Sequence, residues 1–439
     1  MARTLKKETV LTAGEKLAHA VMPEAEQPYQ VPQNWCWITV GSVLTLQAGK
    51  NISSSLIADV KDIDHPYLCF GGNGIRGYVP TFNRDGQFPI IGRQGALCGN
   101  LNWADGQFYA TEHAVVVECP EFVDKKWAYY ILDYMNLNQY ATATAQPGLA
   151  VGNILKLPLS LPPIAEQQRI VDRIESLFAK LDEAKEKAQA VVDGYDARRA
   201  AILHKAFTGE LTTEWRRKNN VSLESWKQCS IAEICHSLKY GTAKKSKDSG
   251  PVVVIRMGNL QSGEIDWSDL AFTDDEEDIA KYKLTPGDVL FNRTNSAALV
   301  GKTSIYRGDY PAIYAGYLIK LDYDHDVIIG DYLNYALNTH EAKQYCNSVK
   351  SDGVNQSNIN AKKIGAYVIP VPSIKEQERI VELVKRLLEK ELKAKETSEQ
   401  VIDQVDTMKK SILARAFRGE LGTNDPNDES AIELLKRVP

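Results

Sequence analysis

Two arginines in this 439-residue chain hold matched places and carry side chains suited to reading a polymer. Arg93 follows Ile90-Ile91 in the run Arg93-Gln94-Gly95-Ala96, and Arg293 follows Val289-Leu290 in the run Arg293-Thr294-Asn295-Ser296. A guanidinium is a planar fork of donors. Set on a turn after a strand, it can make two parallel hydrogen bonds to a guanine edge, a discrimination of about 1–3 kcal/mol. The amides Asn73 and Asn295 stand on turns of the same kind and join them as nucleic-acid contacts. Phosphates need cations on loops, and Lys50, Arg76 and Arg84 supply them in the first half, Lys244, Lys245, Lys247 and Lys302 in the second. Any one of these reads first as an ordinary solvated surface charge; as a set on matched turns, phosphate contact and solvated charge stand level. The net charge of −5 supplies no general basic field, so any such role rests on local patches.

Other chemistries find little support. Gly72-Asn73-Gly74-Ile75-Arg76-Gly77 satisfies G-x-G-x-x-G, but a dinucleotide site needs a helix to start there, and Tyr78-Val79-Pro80 follows instead. Gly301-Lys302-Thr303 mimics the end of a phosphate loop, with Ser296 where its first glycine should stand. The seven histidines are scattered, and the seven cysteines form no C-x-x-C pair, the pattern of a reduced, cytoplasmic protein without structural zinc. The acids from Asp274 to Asp278 read as a solvated loop in preference to a metal site. No Asn-Pro-Pro-Tyr-type tetrapeptide, of the sort that grips a flipped base for methylation, occurs. No apolar run reaches membrane-spanning length, which points away from membrane and export. The chain reads as a binder and not a catalyst, with no metal or cofactor of its own.

What must position these residues is a duplicated frame. Pro162, Ile164, Glu166, Gln167, Arg169, Ile170 and Val171 recur 210 positions on as Pro372, Ile374, Glu376, Gln377, Arg379, Ile380 and Val381. At the far end Ala206, Phe207, Gly209, Glu210 and Leu211 recur as Ala416, Phe417, Gly419, Glu420 and Leu421. Between them, Ile170, Ile174, Leu177, Leu181, Ala184, Ala188, Val191 and Tyr195 advance by alternate steps of four and three, as in a coiled-coil seam. Ile380, Val384, Leu387, Ala394, Val401, Val405, Met408 and Ile412 keep the same phase, interrupted by Glu391 and Ser398. Gly209 and Gly419 are natural stops, while Gly194, mid-helix, costs about 1 kcal/mol and leaves the first helix's continuity open. Two such stripes are most simply buried against each other, antiparallel, with a pseudo-two-fold axis between the copies.

The expected organisation is an α+β chain: an N-terminal arm (1–30), a strand-and-turn domain (31–161), a long helix (162–211), a polar linker (212–220), a second strand-and-turn domain (221–371), a second long helix (372–422) and a mobile acidic tail (423–439). Helical inserts are expected at Trp127–Asn138 and Asp331–Tyr345. The two variable domains share a weaker skeleton. Gly99-Asn100 answers Gly301-Lys302, and Gly148–Ile154 resembles Gly353–Ile359.

Taken together, the doubled Glu-Gln-x-Arg-Ile-Val opening, each copy with a proline four places before the glutamate, and the doubled Ala-Phe-x-Gly-Glu-Leu ending resemble the specificity subunit of a type I restriction–modification enzyme. The resemblance covers nearly all of Val31–Leu421 and takes in looser signatures, Gly72–Tyr78, Ile91–Gly95 and Pro286–Leu290. It implies two target-recognition domains, each reading half of a split target in double-stranded DNA. It also implies an antiparallel pair of helices that sets their separation and docks two modification subunits. S-adenosylmethionine, ATP and Mg would belong to partner modification and restriction/translocase subunits. Phe207, Phe417, Leu211 and Leu421, at the helix ends, are candidates for that docking or for capping the junction with a neighbouring domain. The rival from another class is a coiled-coil scaffold whose paired domains bind protein.

Overall fold

The computed structural model describes residues 20–142, 147–354 and 356–436. They form two compact units, one made of the residues up to Lys187 with those from Gln400 onward, the other of Ala188–Glu399. Each contains one strand-rich domain and parts of both long helices. Most of the expected N-terminal arm lies outside the described residues.

In the first unit the strand-rich domain is closed by its own ends, where Cys36–Thr39 pairs antiparallel with Pro158–Leu161. Two four-stranded sheets lie between. One contains Thr45–Ala48, Ala114–Glu118, Phe88–Gly92 and Leu101–Ala104 in that order; the other is built on the parallel pair Tyr67–Gly71 and Gln107–Ala110. The second unit repeats the plan. Lys227–Ser230 pairs with Val368–Val371, the four-stranded sheet runs Cys235–Tyr240, Leu318–Tyr323, Val289–Asn292, Thr303–Ile305, and Val252–Ile255 lies parallel to Ala312–Tyr314. Ala114–Glu118 and Val289–Asn292 are apolar on nearly every residue because both faces of those strands are covered. The helical inserts are Lys125–Tyr134 in the first domain and the pair Gly330–Leu337 and His340–Val349 in the second, where the expected single helix breaks so that Thr339 can cap its second half.

The long helices are Ile164–Asp193 continued by Tyr195–Phe207, and Ile374–Phe417, whose 44 residues span about 66 Å at 1.5 Å per residue. The hydrogen-bond ladder passes through Gly194, whose N–H donates to Ala190 O at 3.1 Å and whose carbonyl accepts from Arg198 N at 3.0 Å. A Cβ at Gly194 would sit 2.3 Å from the Arg198 guanidinium. That group folds back over the glycine to donate to Val191 O and to the seam-breaking Glu391, both at 2.6 Å. Glycine at this point keeps the helix whole while making room for a cross-helix ion pair. Both helices then stop at glycines of positive φ, Gly209 (+83°) and Gly419 (+73°).

The helices run antiparallel in each unit. Asp182 meets Lys409 at 2.6 Å and Lys185 meets Asp406 at 3.6 Å in the first; Arg198 meets Glu391, and Tyr195 lies under Lys395, in the second. Burial is uneven along the seam. Ile170, Ile174, Ile380, Val384 and Val405 are buried, whereas Ala184, Ala394, Val401 and Met408 are exposed. The tight packing is at the ends, where the helices join the domains. One core joins the first domain to Ile170, Val171 and Ile174 of the first helix and to Leu413, Ala416 and Phe417 of the second. Its counterpart joins the second domain to Leu203 and Ala206, and to Ile380 and Val384.

The doubled Glu-Gln explains this junction. Gln167 accepts from Asp124 N and donates to Phe122 O and Pro162 O; Gln377 accepts from Ile329 N and donates to Val327 O and Pro372 O. In both copies the glutamine therefore ties the helix start to the N-cap of its own domain's helical insert. The neighbouring glutamate, fully buried, holds the chain leaving the other helix: Glu166 accepts from Thr423 Oγ1 at 2.6 Å and Glu376 from Thr212 Oγ1 at 2.7 Å.

Three expectations are corrected by these contacts. Residues 212–220 are no loose linker: Thr213–Asn219 is a helix whose Arg216 is buried against Glu376 at 2.8 Å. The described part of the acidic tail is docked, with Asp428 on Arg169, Asn424 on Trp35, and Ala431, Leu434 and Leu435 buried. Gly148–Ile154 is not the counterpart of Gly353–Ile359. Leu149 N donates to Arg93 O just as Ile359 N donates to Arg293 O, so the 210-residue offset of the helices extends back to Leu149.

Candidate nucleic-acid interface

Each domain opens a cleft at the same topological place, where the first strand of the parallel pair ends beside the arginine turn. In the first, Tyr67–Gly71 and Gly74–Val79 form a hairpin whose two-residue tip is Gly72-Asn73. The G-x-G-x-x-G run is therefore a hairpin, and no helix starts from it. Its tip is seated on Gly92, where a Cβ would be 2.0 Å from Gly72 O, so backbone lies directly on backbone. The result is a cavity of about 370 Å³ lined by Asn73, Ile75, Arg76, Gln94, Gly95 and His113, among others.

In the second domain the equivalent cleft is about 540 Å³, lined by Lys244, Lys245, Arg256, Met257, Arg293 and Tyr317 among others. The equivalence is one of hydrogen bonds. Arg93 N donates to His113 O at 2.8 Å and Arg293 N to Tyr317 O at 3.0 Å; Thr111 N donates to Phe70 O at 3.0 Å and Ala315 N to Ile255 O at 2.9 Å. Buried polar atoms without a protein partner gather at both places: His113 Nδ1 with adjacent Glu112 Oε2 in the first, Arg256 Nε and Arg293 Nε in the second. The same scaffold presents amide, imidazole and aliphatic groups with one guanidinium, Arg76, in one copy, and two lysines, two arginines and a tyrosine in the other.

The sequence-predicted residues fare unequally. Asn73 and Arg76 are exposed at the first cleft, and Lys50 is exposed on the corner where its N–H meets Ala110 O at 3.0 Å. Arg84 is committed to Gln47 at 2.8 Å and lies 3.9 Å from Glu118, so it is a sheet tie and not a free cation. Arg293 lines its cleft, yet its fork is largely spent: it lies over the Tyr240 ring at 4.8 Å and donates to Asn358 Oδ1 at 3.1 Å and to Gly316 O at 3.4 Å. That geometry makes it a positioning residue for the cleft wall. Arg93 does not line the first cleft; its neighbours Gln94 and Gly95 do. Asn295 accepts from Ser296 N at 2.8 Å, and Lys302 donates to Gln261 at 2.9 Å, its ammonium held below the usual lysine range by burial and by Lys343. Neither lines the cleft. Lys244 and Lys247 are paired with the acids that had read as a free loop; those acids instead begin the helix Glu276–Tyr282, with Asp275 as its N-cap.

At the helix ends, Phe417 is fully buried, stacked on Tyr134 at 5.5 Å and edge-on to Trp127 at 6.3 Å, and so offers a partner no surface. Phe207 is half-buried against Tyr332 at 4.9 Å, and Leu211 and Leu421 pack partly buried on the two cores. Sequence reasoning missed His113, Gln94, Tyr317 and Arg256, which reach the clefts only through sheet pairing.

Gly92 gives the first cleft a direct test. Gly92→Ala should displace the Gly72-Asn73 tip at an overpacking cost of about 1–3 kcal/mol. Affinity for the first domain's ligand should fall, with the second unit's unfolding unmoved. Unchanged affinity would separate the hairpin tip from binding.

These features define a class: two copies of one scaffold, each with a cleft in the same place and a different lining. A family model described as the type I restriction modification DNA specificity domain matches residues 32–192 and 223–404, and the chain belongs to that family. It is 48% identical over 148 residues to the type I restriction enzyme EcoprrI specificity subunit of Escherichia coli, covering 33% of this chain and 37% of that one. To the EcoKI specificity subunit of Escherichia coli strain K12 it is 28% identical over 303 residues, 65% of this chain and 64% of that one. It thus spans less than two thirds of either relative. The match to the Escherichia coli EcoBI specificity subunit, 24% identical, covers 93% of this chain and 92% of that one. The solved HsdS subunit from Thermoanaerobacter tengcongensis shares the fold, with a TM-score of 0.61 at 17% identity over 90% of this chain and 100% of that one. Among the described residues no helix is long and apolar enough to cross a membrane.

Proposed function

We propose that this chain is the sequence-specific DNA-binding subunit of a type I restriction–modification complex. Its two domains each read one half of a bipartite target, and its helices dock two adenine-methyltransferase subunits. The observation that carries this reading is the pair of equivalent clefts with unlike linings: a duplicated frame for two different half-sites. Catalysis, S-adenosylmethionine, ATP and Mg belong, on this reading, to modification and restriction/translocase partners. Docking is supported by apolar helix residues left exposed: the seam positions Val401 and Met408 in the first unit, and Leu392, beside the seam, in the second. They are better placed for it than the buried Phe417.

The test is an exchange of residues 31–161 for the corresponding domain of another family member, in the full chain with its partners. Genome-wide mapping of methylated adenines should show one half of the target changed, the other half and the spacing retained. A target altered in both halves, or in neither, contradicts the reading. A mobility-shift titration that is flat in salt would favour the protein-binding scaffold instead, because phosphate contacts make log affinity fall with log salt by about 0.9 per contact.

A further inference from the structure

The rim of the second unit's cleft carries three lysines in four residues, Lys244, Lys245 and Lys247, but they are not three free charges. Lys244 Nζ lies 2.9 and 2.8 Å from the two carboxylate oxygens of Asp275, 3.4 Å from Asp278 and 3.6 Å from Glu277. Lys247 Nζ lies 2.6 and 2.8 Å from the oxygens of Asp274. Lys245 is exposed and, among the described residues, has no such partner. The carboxylates are held by the fold. Asp275 caps the helix Glu276–Tyr282 by accepting from Asp278 N at 2.9 Å, and Asp278 is buried with Thr242 as its donor. The acids thus take up the ammonium hydrogen bonds of Lys244 and Lys247 that a phosphate would need. Hydrogen bonds from the lysines hold the Asp274 and Asp275 carboxyls below their usual range, so the pairs stay charged through neutral pH.

We infer that Asp274 and Asp275 are specificity-determining counter-ions. They mask two of the three rim lysines against indiscriminate duplex binding and leave Lys245 as the phosphate contact of this loop. This rests on the DNA-reading function proposed above. The physical reason lies in how cations act on DNA. Unmasked lysines add affinity for any duplex in any register, because phosphate neutralisation supplies nearly all non-specific binding. At a target the base contacts fix the register, and a freed lysine helps only where a phosphate happens to lie within reach. Masking therefore lowers background binding more than target binding.

The variant Asp274→Asn/Asp275→Asn isolates the charge, since asparagine caps a helix as well as aspartate. In the full chain with its partners, on random-sequence duplex, it should steepen the slope of log affinity against log salt by about 1–2, Lys247 being freed outright and Lys244 in part because Asp278 and Glu277 stay beside it, and raise low-salt affinity several-fold. The ratio of target to random binding should fall. With the acids intact, Lys245→Gln should flatten the slope by about 1, whereas Lys244→Gln should leave it nearly unchanged. Equal effects of Lys244→Gln and Lys245→Gln, or an unmoved slope in the double variant with its unfolding intact, overturn the inference. Failure of the unmodified protein to bind any duplex would instead overturn the function on which it rests.

Discussion

A chain ended at Gly422 is expected to lose about 3–5 kcal/mol of stability in its first unit: two emptied leucine sites cost several kcal/mol, partly offset by the entropy of the freed tail. Leu434 and Leu435 are 1% and 6% exposed, and Ala431 is sealed in the same core as Trp35, Leu413 and Phe417. Truncation also removes Thr423 from the buried carboxylate of Glu166, and removes Asp428 and the Thr423 carbonyl from Arg169. Asn34 loses Asp425 O at 2.9 Å, and Trp35 loses Asn424 at 3.3 Å. In urea the full-length chain and the truncated one should share the transition of the second unit, while that of the first moves to lower denaturant. A peptide of residues 423–436 added in trans should restore it in proportion to its concentration. A first-unit transition unmoved by truncation would show that the tail only lies on the surface.

The tail also shows what could and could not be read from the sequence. The two long helices were legible because their seams recur every three and four residues over forty positions, and their ends because proline, glycine and the repeated motifs punctuate them. The alternating texture of the domains was legible for the same reason. Acidic composition, by contrast, says nothing about burial when the decisive residues are Leu434 and Leu435 in a core, and Asp428 on an arginine far away in the chain. The lysines at 244 and 247 and the acids at 274–278 each looked solvated in isolation; the lysines are paired with Asp274 and Asp275, Asp278 is buried, and sequence gives no signal for that. Arg93 and Arg293 were found at equivalent places because the strands before them match. Where a guanidinium points depends on Tyr240, Asn358 and Gly316, brought to Arg293 by three different elements. The clefts are sites of this kind throughout: their position follows from the strand plan, their lining from loops.

The largest effect of one substitution is expected at Glu376, which Glu376→Ala should turn from a satisfied ion pair into a stranded charge. Its Oε1 accepts from Thr212 at 2.7 Å and Arg216 at 2.8 Å, and its Oε2 from Trp226 Nε1 at 3.0 Å. Arg216 is only 7% exposed; its remaining contacts are Gly209 O at 2.7 Å, the hydroxyls of Thr212 and Thr213, and the Trp226 ring. Removing one member of a buried pair costs about 3–5 kcal/mol because the other keeps its desolvation penalty without its partner. Arg216→Met with Glu376→Leu removes both charges at similar volume, and such replacements are commonly neutral or stabilising by about 1–4 kcal/mol. The second-unit transition should therefore collapse in the single variant and largely return in the double one. A double variant as unstable as the single would mean that the hydrogen bonds to Thr212 and Trp226, and not the compensated charge, hold the first helix's exit to the start of the second. In that case Glu376→Gln, whose one carbonyl oxygen can still accept from Thr212 and Arg216 while its NH2 faces the Trp226 N–H, should cost only that lost hydrogen bond, about 1–3 kcal/mol; on the charge argument it should approach the cost of alanine.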